Sequence, residues 1–520
     1  MSKFYEKVAY RDTEEDIQSQ KSVDKLIFGL LLIVIGFVPL IVMASVVEVQ
    51  SPMITNVSAL TGGTKGDLFT HYKALAVLVI TILAGIMFLA KILFMNGEIR
   101  KTKLNYAIGA FAVAIVLSTI ISPNISIALH GQYNRTDGAI SWLCYLALFF
   151  IAMNIDYPKK VLNYVLYSLY PFVVINLFII TMNFYGNDLL QKAAIKKIVI
   201  AFLPAGANIG EDSILVGTLN QWNYMSGMFA IMTVMFLTAA ILEKNIGQGI
   251  GHLIVALMSV AVVLMSISTS GFLIVFLMMI VIFFVAFKAE KRKRSFAIIA
   301  VFLIASVPVF HILASHNARV WHETFELITK TNPYNESSID AGNFEYNFVS
   351  GFISKAYANE KLFELPNLPE ASMSAGSGRV YIWSKTIDLF KERPIFGYGL
   401  DTFMYNFPHY NIDSRAGLQS EHIITDKPHS IYISWLYSAG IFGFISIMAI
   451  VIIIIFKAMN LAIKGNLSSI WIFSIAWVAY LMQGLFNDSI PGITAPMWVV
   501  AGILVAQTLK YKEQIYGRNS

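Results

Sequence analysis

The chain has 520 residues, 57% of them hydrophobic and only 13% charged, with a formal net charge of +6 and a mean hydropathy of +0.65. A soluble globular protein carries about 25% charged residues, so this composition excludes an ordinary soluble domain and points to a membrane protein. The basic surplus does not imply nucleic acid, because it sits in short runs beside apolar segments: Arg100-Lys101-Lys103, Lys159-Lys160 and Lys291-Arg292-Lys293-Arg294. Charge placed that way sets topology at a lipid surface.

Residues 1–24 are polar and charged and read as a cytoplasmic N-terminal tail. The apolar run that follows is too long for the h-region of a signal peptide and reads as a first span. Runs able to cross about 30 Å of hydrocarbon fall near 25–47, 72–95, 104–122, 139–155, 161–184, 217–241, 249–267, 270–288, 296–313, 430–457, 467–486 and 493–510. The expectation is an all-α polytopic membrane protein with about 12 transmembrane helices. An N-terminal bundle of about 9 spans would cover 25–313, and a C-terminal bundle of about 3 would cover 430–510. Residues 511–520 would return as a cytoplasmic tail. The apolar stretch 195–206 is too short to span and reads as re-entrant or surface-lying. Cys144 lies inside an apolar run and reads as a small buried hydrophobe.

One set of short loops holds nearly all the basic runs, and the positive-inside bias makes that set cytoplasmic. The other set then faces outward, and with it the long segment 314–429, expected to be an extracytoplasmic lobe. In this lobe Arg319–Lys330 reads as a helical extension of the preceding span, and 331–375 as loop rich in Asn, Ser, Gly and Pro. Val380–Phe390 has helical spacing, with Ile382, Thr386, Leu389 and Phe390 on one side and Glu392-Arg393-Pro394 as its end. Gly397-Tyr398-Gly399 is a turn. A second loop carries His409, Arg415, Glu421, His422, Asp426 and Lys427.

Four outward polar clusters need explanation in a chain this apolar. Gly131 to Gly138 opens the fourth span with Tyr133 and Arg135; the Arg either snorkels at the lip of the bundle or binds an anion. Gly217 to Tyr224 brings Asn220 and Asn223 to the sixth span, where amides line a polar cavity or merely cap and cross-link helices. Gly376-Ser377-Gly378-Arg379 precedes a helix; its Arg can grip a phosphate with two donors or tie the lobe to a carboxylate. His429, with Ser430, Tyr432 and Trp435 at the mouth of the tenth span, can relay a proton near neutral pH or be an ordinary interfacial histidine. His311, His316, His322, His409 and His422 follow no standard metal-ligand spacing, so no metal site is expected. No nucleotide motif is present, so no cofactor is expected and the driving energy must arrive inside the substrate. These features suit a lipid-linked diphosphate sugar: arginines neutralise the leaving diphosphate, His429 positions or deprotonates a hydroxyl, and the polar helix openings bind sugar hydroxyls.

On these residues the sequence resembles the O-antigen ligase and O-antigen polymerase superfamily, the Wzy-C family. The likeness rests on Gly378-Arg379 with Trp383, Leu389-Phe390, Pro394-Ile395, Gly397, Gly399 and Phe403, then on His429 to Tyr432, Leu436, Gly440 and Gly443. Gly131–Gly138 and Gly217–Asn223 resemble family segments too, so the likeness spans roughly residues 130–445. The resemblance implies a GT-C-type bacterial cell-membrane glycosyltransferase. Its donor would be an undecaprenyl-diphosphate-linked oligosaccharide, its acceptor a glycan, lipid or cell-wall hydroxyl, and it would use no metal. Carried over, Arg379 and His429 are the catalytic residues and Arg135 is a diphosphate contact. Tyr133, Asn220, Asn223, Tyr432 and Arg319 are the remaining substrate-binding candidates. Many relatives carry an Arg after the Ser/Thr run ending the seventh span; here Ser268-Thr269-Ser270 is followed by Gly271-Phe272. A second donor-binding Arg therefore has no assigned position, and Arg319, Arg393 and Arg415 are the substitutes.

The motifs do not separate ligase from polymerase, nor from an oligosaccharyltransferase acting on protein Ser or Thr. A transporter or flippase of lipid-linked saccharide would show related halves and charge in the bundle core, and neither is found in the sequence. A non-catalytic member of an envelope-polysaccharide assembly would leave Arg379 and His429 as separate surface residues.

Overall fold

Apolar residues fill every face of the segment Trp222–Leu242, and such a helix must be surrounded by others. In the computed structural model it is the axis of the bundle. Every residue from Tyr224 to Ile241 is buried, against Ile246–Met265, Thr269–Lys288, Arg292–His316 and Ser468–Gln483. The structure describes residues 13–49, 63–204, 207, 214–334, 378–409, 425–465 and 468–516. Among these, ten helices are long and apolar enough to cross a membrane, and Ala139–Asn154 and Ser468–Gln483 are shorter apolar helices. The chain is a multi-pass, predominantly helical membrane protein.

Each expected span falls on one of these helices, with shifted ends. The first helix starts at Thr13, inside the expected tail, and stops at Gly36. A single turn at Val38–Leu40, containing Pro39, follows it. The chain then turns extended, and Ser45–Val49 pairs antiparallel with Gly63–Asp67. The expected span to residue 47 is corrected on this point, while the all-α polytopic bundle stands, with this one short hairpin beside it. Val46, Val47 and Val49 suit a strand as well as an apolar helix, and the pairing partner is remote. The sixth span begins at Trp222 rather than 217. Ala193–Val199 is a short, mostly exposed helix. Arg319–Lys330 does not extend the preceding helix: Asn317 is extended, and two short helices, Arg319–His322 and Glu326–Thr329, follow. Residues 335–377 and 410–424, which hold most of the expected 331–375 loop, Gly376 and Ser377, and Arg415, Glu421 and His422 of the second loop, lie outside the described residues.

Three polar fastenings hold the N-terminal helices. Asp67 accepts hydrogen bonds from the backbone N–H groups of Phe69, Thr70 and His71, capping His71–Phe94 and fixing the hairpin to it. Lys73, 1% exposed, donates to the carbonyls of Ile41, Phe69 and Thr218 at 2.5–2.8 Å. At the opposite end of the bundle, Lys91 and Asp24 form a buried ion pair at 2.7 Å.

The helix Ile431–Gly465 is broken at Gly440, where φ is 63° and ψ is −168°. A break leaves backbone N–H and C=O groups without intrahelical partners, which is costly in a membrane unless they are satisfied. Here the strip 394–399 satisfies them. Tyr398 N–H donates to Tyr437 O at 3.1 Å and Gly399 N–H to Ser438 O at 2.9 Å, while Ile441 N–H donates to Pro394 O at 2.8 Å. The approach is backbone on backbone, so side chains are excluded. A Cβ on Gly440 would lie 2.6 Å from Phe396 N, and one on Gly397 would lie 2.6 Å from the Ser438 carbonyl. The strip continues from the helix Arg379–Glu392, which buries Ile382 and Thr386 as the sequence spacing anticipates, half-buries Leu389 and Phe390, and buries Tyr381 in addition. We predict that Gly440→Ala costs at least about 2 kcal/mol, the adverse φ supplying roughly 1–2 kcal/mol of this and the clash the rest. Thermal unfolding in detergent should show it. Gly109→Ala, whose Cβ meets nothing within 4 Å, should leave the midpoint unchanged or raised.

Candidate active site

The segment 425–430 leads into the broken helix and carries three charged or titratable side chains in four residues, Asp426, Lys427 and His429. His429 sits in the left-handed region at φ 55°, a conformation that costs energy for a non-glycine residue and concentrates at functional sites. Its Nδ1 lies 3.1 Å from Asp488 Oδ2. The imidazole is 42% exposed and the carboxylate 3%. Ser434 donates to the other carboxylate oxygen at 3.4 Å. Burial alone would lower the His429 pKa, but the hydrogen bond and charge of Asp488 outweigh it and hold it above the usual histidine value. Burial likewise works against the Asp488 carboxylate, yet His429 draws its pKa below the usual range. With Nδ1 facing a carboxylate, the proton of neutral His429 belongs on Nδ1 and the lone pair on Nε2.

Arg379 is the first residue of its helix, after Gly378 at φ 77°. Its Nη2 donates to Phe486 O at 3.4 Å, in the turn that also carries Asp488. Burial lowers its pKa and the nearby Asp488 charge offsets part of that; a guanidinium remains charged regardless. Trp383, one turn along, donates from Nε1 to Pro428 O at 2.7 Å. That bond links the Arg379 helix to the residue before His429.

Arg135 enters from the loop 131–138 and is 3% exposed. Its Nη2 donates to Asp426 Oδ2 at 2.6 Å and to Gln132 Oε1 at 3.0 Å. Its Nε stands 3.8 Å from Asp401 Oδ1. Burial opposes its charge, but Asp426 and Asp401 more than compensate and raise its pKa. Lys427, also buried, donates to Ser489 O at 3.0 Å and lies 4.0 Å from Asp401 Oδ1. Asp137 accepts from Ser489 Oγ and, at 3.3 Å, from Trp142 Nε1 and Tyr145 OH. Burial pushes its carboxyl up to about 6, against the pull of Lys427. Asp488 is the common neighbour: its charge is felt by His429, Arg379, Arg135 and the buried Tyr224. A cavity of about 30 Å³ lined by Asp137, Lys427, Ser434 and Ser489 suits one buried water.

Other candidates spend their hydrogen bonds elsewhere. Tyr432 OH donates to Leu481 O at 2.8 Å. Asn223 Oδ1 accepts from Ser268 Oγ at 2.9 Å. Asn220 donates to Asn134 O at 3.2 Å and so braces the Arg135 loop. Arg319 is exposed beyond Arg292–His316, and its backbone N–H donates to Asn317. Arg393 stacks on Tyr398 and donates to Ile121 O at 3.1 Å. The missing Arg after Ser270 has a steric reason. Gly271 packs on Ser226 of the central helix, and a Cβ there would lie 2.6 Å from the Ser226 carbonyl oxygen. Asp488 was not singled out from the sequence; the polar run Asn487-Asp488-Ser489 between two apolar helices was the available signal. Among the described residues no three His, Cys, Asp or Glu are grouped to hold a metal ion.

Beside the Arg135 loop runs a groove of about 770 Å³. Its walls are largely apolar, with Leu75, Leu78, Ile125 and Ile140 along it and Gln132 and Tyr133 at its polar end. Leu75 and Ile125 in its wall are exposed.

No curated protein matches the chain. Residues 253–448 match the Wzy_C family, described as O-antigen ligase. The match contains Arg379 and His429, while Arg135 and Asp488 lie outside it. Over that part of the chain the protein is similar to this family, a likeness in keeping with a ligase- or polymerase-type role in glycan handling.

Proposed function

We propose that this protein transfers a glycan from an undecaprenyl-diphosphate-linked donor to a hydroxyl acceptor on the extracytoplasmic face of a bacterial cell membrane. The observation that carries the reading is His429 paired through Nδ1 with buried Asp488, beside Arg379. That arrangement offers a proton acceptor at Nε2 and a cation for a leaving anion within one site.

The chemistry follows from those groups. The acceptor hydroxyl gives its proton to His429 Nε2 as its oxygen attacks the anomeric carbon. The new C–O bond forms as the C–O bond to diphosphate breaks, and the electron pair leaves with the diphosphate. Inversion at that carbon follows from single displacement. Arg379 faces the charge that develops on the leaving oxygens, where a fixed donor in a dry site is worth most. Asp488 keeps the imidazole in the required tautomer and stabilises its charged form.

Orientation and substrate class have separate support. The basic runs at Arg100–Lys103, Lys159–Lys160 and Lys288–Arg294 lie at helix ends opposite the site, which under the positive-inside bias supports an outward-facing site. The groove beside the Arg135 loop suits the lipid chain of such a donor. The acceptor is a glycan, lipid or cell-wall hydroxyl, and envelope-polysaccharide assembly proteins are the expected company.

The test is purified protein incubated with lipid-linked oligosaccharide and candidate acceptors. A ladder of products identifies a polymerase and a single adduct a ligase; no product with any acceptor overturns the reading. Arg379→Ala and His429→Ala should each lower turnover by roughly 10²–10³-fold while the protein stays folded. Unchanged turnover removes that residue from the mechanism. The pH profile gives a further prediction. Catalysis needs neutral His429, and Asp488 raises its pKa, so the rate falls as pH drops through that raised value. Asp488→Asn removes the charge and should move the acid limb to lower pH while reducing the maximal rate. An unmoved limb would show that another group titrates.

A further inference from the structure

Arg135 is an anion site that the protein itself already fills. Its guanidinium has five N–H donors, but the hydrogen bonds to Gln132, the Asp426 carbonyl and the Asp426 carboxylate all fall on Nη2. Its Nε is buried and has no hydrogen-bond partner, and Asp401 Oδ1 opposite is likewise unpartnered. The contact is one-pronged, although a guanidinium is built for two parallel bonds to an oxyanion.

The two carboxylates around it are not equivalent. Asp401 is 2% exposed, accepts from Gln132 N–H at 2.6 Å, and is shared with Lys427 at 4.0 Å. It is a fixed counter-ion. Asp426 is 32% exposed, and Arg135 Nη2 is the group that binds its carboxylate most closely. It can turn to water without breaking the rest of the network. Arg379, which also lies within the field of Asp488, forms no ion pair among the described residues, and its Nε is likewise buried without a hydrogen-bond partner.

We propose that Asp426 is an internal stand-in for a phosphate oxygen: it occupies Arg135 until a diphosphate replaces it. This rests on the function proposed above and adds a specificity device to it. An anion with one negative charge and one prong gains little over the resident carboxylate. A diphosphate, multiply charged and able to take more than one N–H of the guanidinium, displaces it. Asp426 thus discriminates against weak anions and leaves Arg135 compensated whenever donor is absent, since an unpaired buried guanidinium is strongly unfavourable.

The probe is inorganic pyrophosphate titrated into the full-length protein in detergent micelles by calorimetry. Asp426→Asn should bind it at least about tenfold more tightly than the wild type, a change worth about 1.4 kcal/mol. Asp426→Glu, which keeps the charge, should stay near the wild type. Adding Arg135→Gln to Asp426→Asn should erase the gain. Equal or weaker binding by folded Asp426→Asn overturns the proposal. A second measurement needs no variant: with pyrophosphate bound, a wild-type structure should show the 2.6 Å Arg135–Asp426 pair broken, and its retention overturns the proposal. Undecaprenyl diphosphate in the same micelles separates a lipid-borne headgroup from free pyrophosphate. Failure of the parent reading looks different: neither anion binds the wild type or any variant, and no glycan is transferred.

Discussion

The break at Gly440 is the constraint from which the site is built. A continuous helix would close its own hydrogen bonds and present only side chains to its neighbours. A broken one presents backbone donors and acceptors, which must find partners in a medium that offers no water. The strip 394–399 supplies them. One end of that strip leads back to Arg379, and the broken helix leads back to His429. Backbone pairing has a fixed register, so it sets the separation of guanidinium and imidazole more tightly than side-chain packing would. The glycines at 397 and 440 are there because nothing larger permits the approach.

Around this frame the charges are arranged in alternation. Arg135, Lys427, Arg379 and His429 face Asp401, Asp426, Asp488 and Asp137, nearly all of them buried or half-buried. An isolated charge in such surroundings would give up its proton or take one. Pairing favours the charged forms of Arg135, His429 and Asp488, whereas burial pushes the Asp137 carboxyl up to about 6. The low-dielectric setting also magnifies what each charge does to its neighbours. It explains why the imidazole, though nearly half exposed, is governed by one carboxylate.

The helices were legible from the sequence because hydrocarbon thickness imposes a length on apolar runs, and that signal is local. Arg379 and His429 were legible because charged groups interrupt an otherwise apolar text, at a helix start and at the mouth of a span. Asp488 was not. It stands 59 residues from His429, in a short turn, and nothing in local periodicity says which end of which helix will face it. The counter-ions of Arg135 were hidden for the same reason: Asp426 follows it by 291 residues. The hairpin escaped because Val46–Val49 reads equally well as the tail of a span. The absence of an Arg at position 271 was visible but unexplained until Ser226 was found against it.

Lys73 carries a consequence for how the protein is made. Its ammonium is held by carbonyls from residues 41, 69 and 218, the last of which is synthesised long after the helix that bears the lysine. A newly inserted His71–Phe94 segment has no such cage complete, and a lone ammonium snorkels to the headgroups. The vertical setting of that helix in the bilayer is therefore acquired late, when residue 218 arrives, and belongs to the assembled protein rather than to the hydropathy of the segment.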